Sequence, residues 1–165
     1  MTITMHRSWQ LAKGHIIEVV KNSQNEAELM PHLEKCLEWG LKLKPGAGCA
    51  LKISLYGHDI ERAFDTRTKK EGSITYKQYK KQHSKNSSNY LTTYLAGIRS
   101  EERLIYEVGN LVLYHDVGFV QGFDTGLYKD LRLLRDADAI SFLDDVNAIK
   151  RYAANYGLGK TYEKI

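Results

Sequence analysis

The sequence predicts an all-α fold, and three features predict it. Only two prolines occur in 165 residues. The apolar runs are longer than typical strands, and apolar residues recur at helical spacing. The length suits one domain, 1–165, with a single sizeable core. An apolar content of 42% is that of an ordinary soluble globular chain. There is no internal repeat and no low-complexity segment.

Residues 6 to 21 form the first predicted helix, because Trp9, Ala12, Ile16, Val19 and Val20 recur at helical spacing. His15 sits near this apolar face and reads as a core or partly exposed histidine. The cluster Asn22-Ser23-Gln24-Asn25 breaks the pattern. A second helix is predicted from about Glu28 to Leu43, with Pro31 in its first turn. Its stripe is His32, Leu33, Cys36, Leu37, Gly40 and Leu41. A turn over 44–48 leads to a third helix, Cys49 to Phe64, apolar enough to be central. Its residues Leu51, Leu55, His58 and Asp59 fall on or near one face. Residues 65 to 74 are charged and read as a loop. Thr75 is placed to cap a fourth helix, about Tyr76 to Leu95, with a basic start and His83 on an inner stripe with Tyr90 and Leu91. Lys77 and Lys80 read as a solvated face. Ser100 is placed to cap a fifth helix, which buries Leu104, Ile105, Val108, Leu111, Val112 and His115 and ends in His115-Asp116. A glycine-rich loop, 118–126, follows. Leu127 to Asp145 carries a short helix, the stretch 135–139 and an apolar continuation. A last helix runs to about Tyr156, before Gly157 and Gly159, and the tail from Thr161 to Ile165 is expected to fray.

Composition excludes some classes of function. A net charge of +4 suits an anionic small-molecule substrate but is not the concentrated basic face of a nucleic-acid binder. Cys36 and Cys49 form no metal motif and no disulfide framework, and read as buried thiols of a reducing compartment. With no secretory signal and no apolar run long enough to span a membrane, a cytoplasmic location is expected. A homo-oligomer is compatible with everything in the sequence.

The chemistry gathers around the stretch Leu55-Tyr56-Gly57-His58-Asp59-Ile60-Glu61-Arg62. An adjacent His and Asp at the end of a buried helix offer a neutral imidazole and a carboxylate to one cation. His32 lies upstream, and His83, His115 and Asp138 lie downstream. Six N/O ligands without a thiolate suit Mn, Fe, Co, Ni or Mg, with Zn also admissible. Helical bundles build such sites from facing helices. Two of the histidines and the two carboxylates suffice for one ion, and all six suffice for two. Asp136 and Asp138 diverge by about 200° on a helix, so one of them points at any given centre. Glu61 and Arg62 have two readings. Either they form a surface ion pair, or Arg62 offers its guanidinium fork to a substrate phosphate. Lys81 and Lys85, with Arg67, are further candidates for phosphate contact.

On these residues the chain resembles the HD-domain superfamily of metal-dependent phosphohydrolases. His32 stands 26 residues before His58-Asp59, and Asp138 in Ala137-Asp138-Ala139-Ile140 matches the closing aspartate. The resemblance spans about 30–143. His83 and His115 resemble the extra histidines of the bimetallic branches, which include cyclic-nucleotide phosphodiesterases and a group of di-iron oxygenases. The Gly-Tyr-Pro signature of the cyclic-dinucleotide branch is absent, and Gly118-Phe119-Val120 stands in its place.

The resemblance implies an HD-like helical bundle with a central metal site of one or two ions. His32, His58, Asp59 and Asp138 would be ligands, and Asp136 would support the site or cap a helix. It also implies a phosphorylated small-molecule substrate, a nucleotide or another phosphate ester. Asp59 would double as general base. His83 and His115 would complete a second metal site or act on the leaving group as acids. The alternatives are a di-iron oxygenase on the same scaffold and a non-catalytic binding module. Specificity is expected from loops 65–75 and 117–126.

Overall fold

The computed structural model describes residues 2–64, 75–117, 122–146 and 149–150. It is all-α. Among the described residues six α-helices follow in order: α1 (Met5–Lys21), α2 (Glu26–Leu43), α3 (Cys49–Gly57), α4 (Tyr76–Gly97), α5 (Glu102–Tyr114) and α6 (Thr125–Leu143), with a 3-10 helix at Ile60–Ala63. No helix among the described residues is long and apolar enough to cross a membrane.

Three of the helices start on a side-chain cap. The Thr4 hydroxyl accepts the Arg7 N–H at 3.3 Å and opens α1, which then buries Ser8, Ala12, Ile16 and Val20 at every fourth position. Thr75 and Gln78 cap one another at the start of α4, a reciprocal pair that satisfies two free N–H groups. Asp124 opens α6 by accepting the Leu127 N–H at 2.9 Å.

The centre of the bundle is α3. Ala50, Leu51, Ile53, Ser54, Leu55, Tyr56 and Gly57 are all buried, as expected of a helix apolar all round. It packs against α1, α2, α5 and α6, while α4 pairs with α5 and α2 with α6. Two close approaches set this packing. A Cβ on Gly40 of α2 would overlap the Leu55 side chain, and one on Gly57 would lie 3.0 Å from both Ile16 and Leu91. Cys36 is buried in this core and Cys49 is half-buried, both as free thiols.

Several boundaries differ from the sequence reading. The third helix does not continue to Phe64. It stops at Gly57, His58 and Asp59 form a turn, and the tighter 3-10 helix follows. Pro31 lies inside α2 rather than in its first turn, because the helix begins earlier, at Glu26. Ser100 is not the cap of α5. Glu101 holds that position, and the Ser100 hydroxyl is instead 2.8 Å from that of Ser8 in a buried contact between α1 and the α4–α5 turn. The α4–α5 turn is a Schellman motif, with Ser100 N–H on Leu95 O and Arg99 N–H on Ala96 O. Arg99 takes its left-handed position at φ 59°. The segment 127–143 is one continuous helix, so Asp136 is an exposed mid-helix residue and caps nothing. The loop at 65–74, residues 118–121 of the glycine-rich loop, and residues 151–156 of the last predicted helix lie outside the described residues, as does the tail.

Candidate metal centre

The breakdown of α3 at His58 puts two candidate ligands, both almost fully buried, at the end of the central helix. Continuing the helix would send Asp59 about 100° round from His58. The turn instead lets both side chains face one space, and the 3-10 helix locks it, with Arg62 N–H on Asp59 O at 2.9 Å. Four helices close on that space. His32 comes from α2, His83 from α4, His115 from the C-terminal end of α5 and Asp138 from the middle of α6.

The structure brings all six predicted ligands together. His32 Nε2 lies 3.3 Å from His58 Nε2, 3.5 Å from Asp59 Oδ2 and 3.4 Å from Asp138 Oδ1. His58 Nε2 lies 3.6 Å from Asp138 Oδ1. Asp59 Oδ1 lies 2.7 Å from His83 Nε2 and 3.8 Å from His115 Nε2. Asp59 is therefore shared by two groups, one with His32 and His58 and one with His83 and His115. Ligands about 2.1 Å from a cation stand about 3.0–3.4 Å from one another in octahedral or tetrahedral geometry. The edges around His32 are close to that range.

The outer nitrogens explain why all four Nε2 atoms converge. His58 Nδ1 faces Leu55 O at 3.2 Å, and His115 Nδ1 faces Val112 O at 2.7 Å, so each ring donates its Nδ1–H to a carbonyl. His83 Nδ1 lies 2.8 Å from Glu61 Oε2 and donates likewise. His32 Nδ1 lies 3.2 Å from Ser141 Oγ. That hydroxyl gives its proton to Asp138 O at 2.7 Å, so it accepts from His32. With every Nδ1 protonated, Nε2 is the nitrogen that each ring turns to the centre and can offer to a cation, the orientation a metal-binding imidazole needs. The donor set and its outer hydrogen bonds thus fit a divalent cation.

Without a cation, the cluster holds protons and charge in tension. Burial alone would raise the Asp59 carboxyl, but Arg62, His58 and His83 hold it well below the usual range. Burial would likewise lower His83, but the carboxylates of Asp59 and Glu61 raise it to about 9. His58 is raised against burial by Asp59 and Asp138. His115 goes the other way, to about 4, through burial and the charge of His58. Asp138 is lowered by His58 and His32 against the desolvation of its surroundings.

Residues around the ligands fall into two sets. Arg62 Nη1 lies 3.1 Å from Asp59 Oδ2 with its side chain 44% exposed. Its Nε is buried and has no partner among the described residues. Together with Asp138 at 32% and His32 at 21% side-chain exposure, it marks the solvent-facing side. Lys80 reaches Asp116 at 2.7 Å beside His115. Lys81 and Lys85 are exposed and not brought to the cluster, since each stands about 200° round α4 from His83. Arg67 lies outside the described residues.

Sequence reasoning missed four of these contributors, Glu61, Lys80, Ser141 and Arg135. Glu61 and Arg62 do not form a surface ion pair, because Glu61 is 4% exposed and turned to His83, while Arg62 pairs with Asp59. Lys80 is half-buried at the rim, paired with Asp116, and its signal was the three-residue spacing to His83. Ser141, three residues after Asp138, carried the same signal. Arg135 donates to Tyr114 O, His115 O and Val117 O and so holds the end of α5 that presents His115.

A cavity of about 510 Å³ is lined by Glu61 together with His15, Phe64, Asn86, Tyr90 and Tyr94. His15 is half-buried there, stacked 4.0 Å from Tyr94 and 2.9 Å from the Tyr90 hydroxyl, as its place near the apolar face of α1 predicts.

No protein-family model, curated protein or solved structure matches this chain.

Proposed function

We propose that the chain is a metal-dependent phosphohydrolase of HD type, acting on a phosphate ester of a nucleotide or another small molecule. One juxtaposition carries this reading. A buried cluster of imidazoles and carboxylates without thiolate stands beside Arg62, whose Nε donor has no partner among the described residues. A buried guanidinium N–H next to cation ligands is suited to an anion that bridges the two, and phosphate oxygens match that fork.

One or two divalent ions would be held by His32, His58, Asp59 and Asp138, with His83 and His115 completing the second group. Such a cation supplies Lewis acidity and makes hydroxide accessible near neutral pH. The remaining work belongs to the chain. Asp59 orients the attacking water and accepts its proton. Arg62 neutralises charge on the phosphoryl oxygens as the transition state forms. The four outer hydrogen bonds hold the imidazoles in place during the reaction. His83 and His115 point the same nitrogen inward as His32 and His58, which favours ligand over leaving-group acid for both. Phosphate contact is assigned to Arg62 and, at the rim, Lys80, ahead of Lys81 and Lys85.

A screen of phosphomonoesters, phosphodiesters and nucleotides, run on protein reconstituted separately with Mn²⁺, Co²⁺, Ni²⁺, Zn²⁺ and Fe²⁺, tests this. Release of phosphate or opening of a diester, abolished by Asp59→Ala, supports the reading. A di-iron oxygenase is the competing use of the same six ligands. About two iron ions per chain, visible absorption and oxygen consumption without phosphate release would favour it.

A further inference from the structure

Glu61 stands two residues after Asp59, and the 3-10 helix turns it inward. Its backbone N–H is held by Ser87 Oγ at 3.3 Å, its residue exposure is 4%, and its Oε2 lies 2.8 Å from His83 Nδ1. His83 is therefore gripped from both sides by carboxylates, Glu61 at Nδ1 and Asp59 at Nε2. The other three ligand imidazoles give Nδ1–H to neutral oxygens, those of Leu55, Val112 and Ser141. The two groups that share Asp59 are thus built differently. One rests on neutral acceptors throughout, and the other has a buried anion behind one ligand.

We propose that Glu61 is a positioning residue for the Asp59–His83–His115 group, making His83 a stronger donor and giving that group its hold on a cation. This rests on the metal-binding reading of the cluster. A carboxylate that accepts Nδ1–H draws the ring towards imidazolate and raises the basicity of Nε2. In a buried setting its charge is weakly screened, so the effect at the cation is larger than at a surface. Glutamine at position 61 would keep the volume and a carbonyl acceptor, and so the tautomer, while removing the charge.

The test is Co²⁺ binding to chelator-treated protein, measured by competition with a chromophoric chelator, for the wild type, Glu61→Gln, His83→Gln and the double variant. Thermal unfolding of each metal-free protein checks folding. Glu61→Gln is expected to weaken one Co²⁺ site by about 10–100-fold and leave the other unchanged. His83→Gln should lose the same site, and adding Glu61→Gln to it should change the remaining site by less than about twofold. Wild-type affinity in Glu61→Gln overturns the proposal. So does an equal weakening of the remaining site in the double variant, which would mean that Glu61 only supports the fold. If Glu61→Gln does not fold, Glu61→Asp replaces it. That variant keeps the charge but withdraws it by one carbon, and an unweakened Asp59–His83–His115 site would again overturn the proposal. A wild type that binds no Co²⁺ defeats the metal-binding reading itself, a result distinct from all of these.

Discussion

Asp59 Oδ1 lies 2.7 Å from His83 Nε2, with both side chains almost fully buried. Both atoms are acceptors unless one carries a proton, so the metal-free pair holds a proton that a cation would have to displace. His83, raised to about 9, carries it at neutral pH. Metal binding at pH 7.5 should therefore release about one proton from this group, and affinity should climb with pH towards 9. Calorimetric titration in buffers of different ionisation enthalpy measures the release. A binding enthalpy independent of buffer would contradict it.

The metal-free protein should be most stable near pH 6.5. His83 is raised from 6.5 to about 9, so its stabilising contribution is complete below pH 6.5 and lost as pH rises through 9. His115 is lowered from 6.5 to about 4, so the fold resists its protonation and loses stability as pH falls from 6.5 through 4. Asp59 acts in the same direction at lower pH, since its depressed carboxyl contributes above 3.8 and fails as pH drops through its folded value. Melting temperatures of chelator-treated protein from pH 4 to 9 should trace a maximum. A flat profile above pH 6.5 would show that His83 is not held between carboxylates.

Arg62→Ala should cut kcat/KM on a phosphate ester by about 100-fold, the usual scale for losing one charge-stabilising donor. Lys81→Ala and Lys85→Ala should change it by no more than about twofold, as exposed positions away from the cluster. Steady-state kinetics on the metal-loaded protein decides this. A large effect from Lys85 and none from Arg62 would reverse the assignment.

Gly40→Ala should destabilise the protein by about 1–3 kcal/mol, because the new methyl overlaps Leu55 in a packed core. Metal stoichiometry should stay the same, since Gly40 follows His32 by two turns of α2, about 12 Å along the helix. Denaturant unfolding with elemental analysis separates the two effects.

Much of this was legible in the sequence for one reason: helical spacing reports which residues share a face. Ala12, Ile16 and Val20 mark the inner face of α1, and the adjacent pair His58-Asp59 marks the end of an apolar helix. The six candidate ligands were named from residue type, order along the chain and the family resemblance these carry, and the structure places them side by side. What the spacing did not carry was the turn at 58–59. Spacing left Glu61 and Arg62 open between a surface ion pair and an Arg62 contact to phosphate, whereas the 3-10 geometry buries one against His83 and leaves the other on Asp59. Ser100 misled for a related reason. Its type suits a helix cap, but its hydroxyl serves a contact with Ser8, 92 residues away, and long-range partners leave no local pattern. Lys80 and Ser141 were readable from their three-residue offsets to His83 and Asp138, once those were taken as inward-facing.

Metal content bears most directly on the central claim. The wild type and Asp59→Ala should be purified without added metal and analysed by elemental analysis, before and after reconstitution. The shared position of Asp59 predicts one or two divalent ions per wild-type chain and loss of essentially all of them in the folded variant. A wild type that holds no metal after reconstitution, or an Asp59→Ala protein that holds as much as the wild type, would contradict the account.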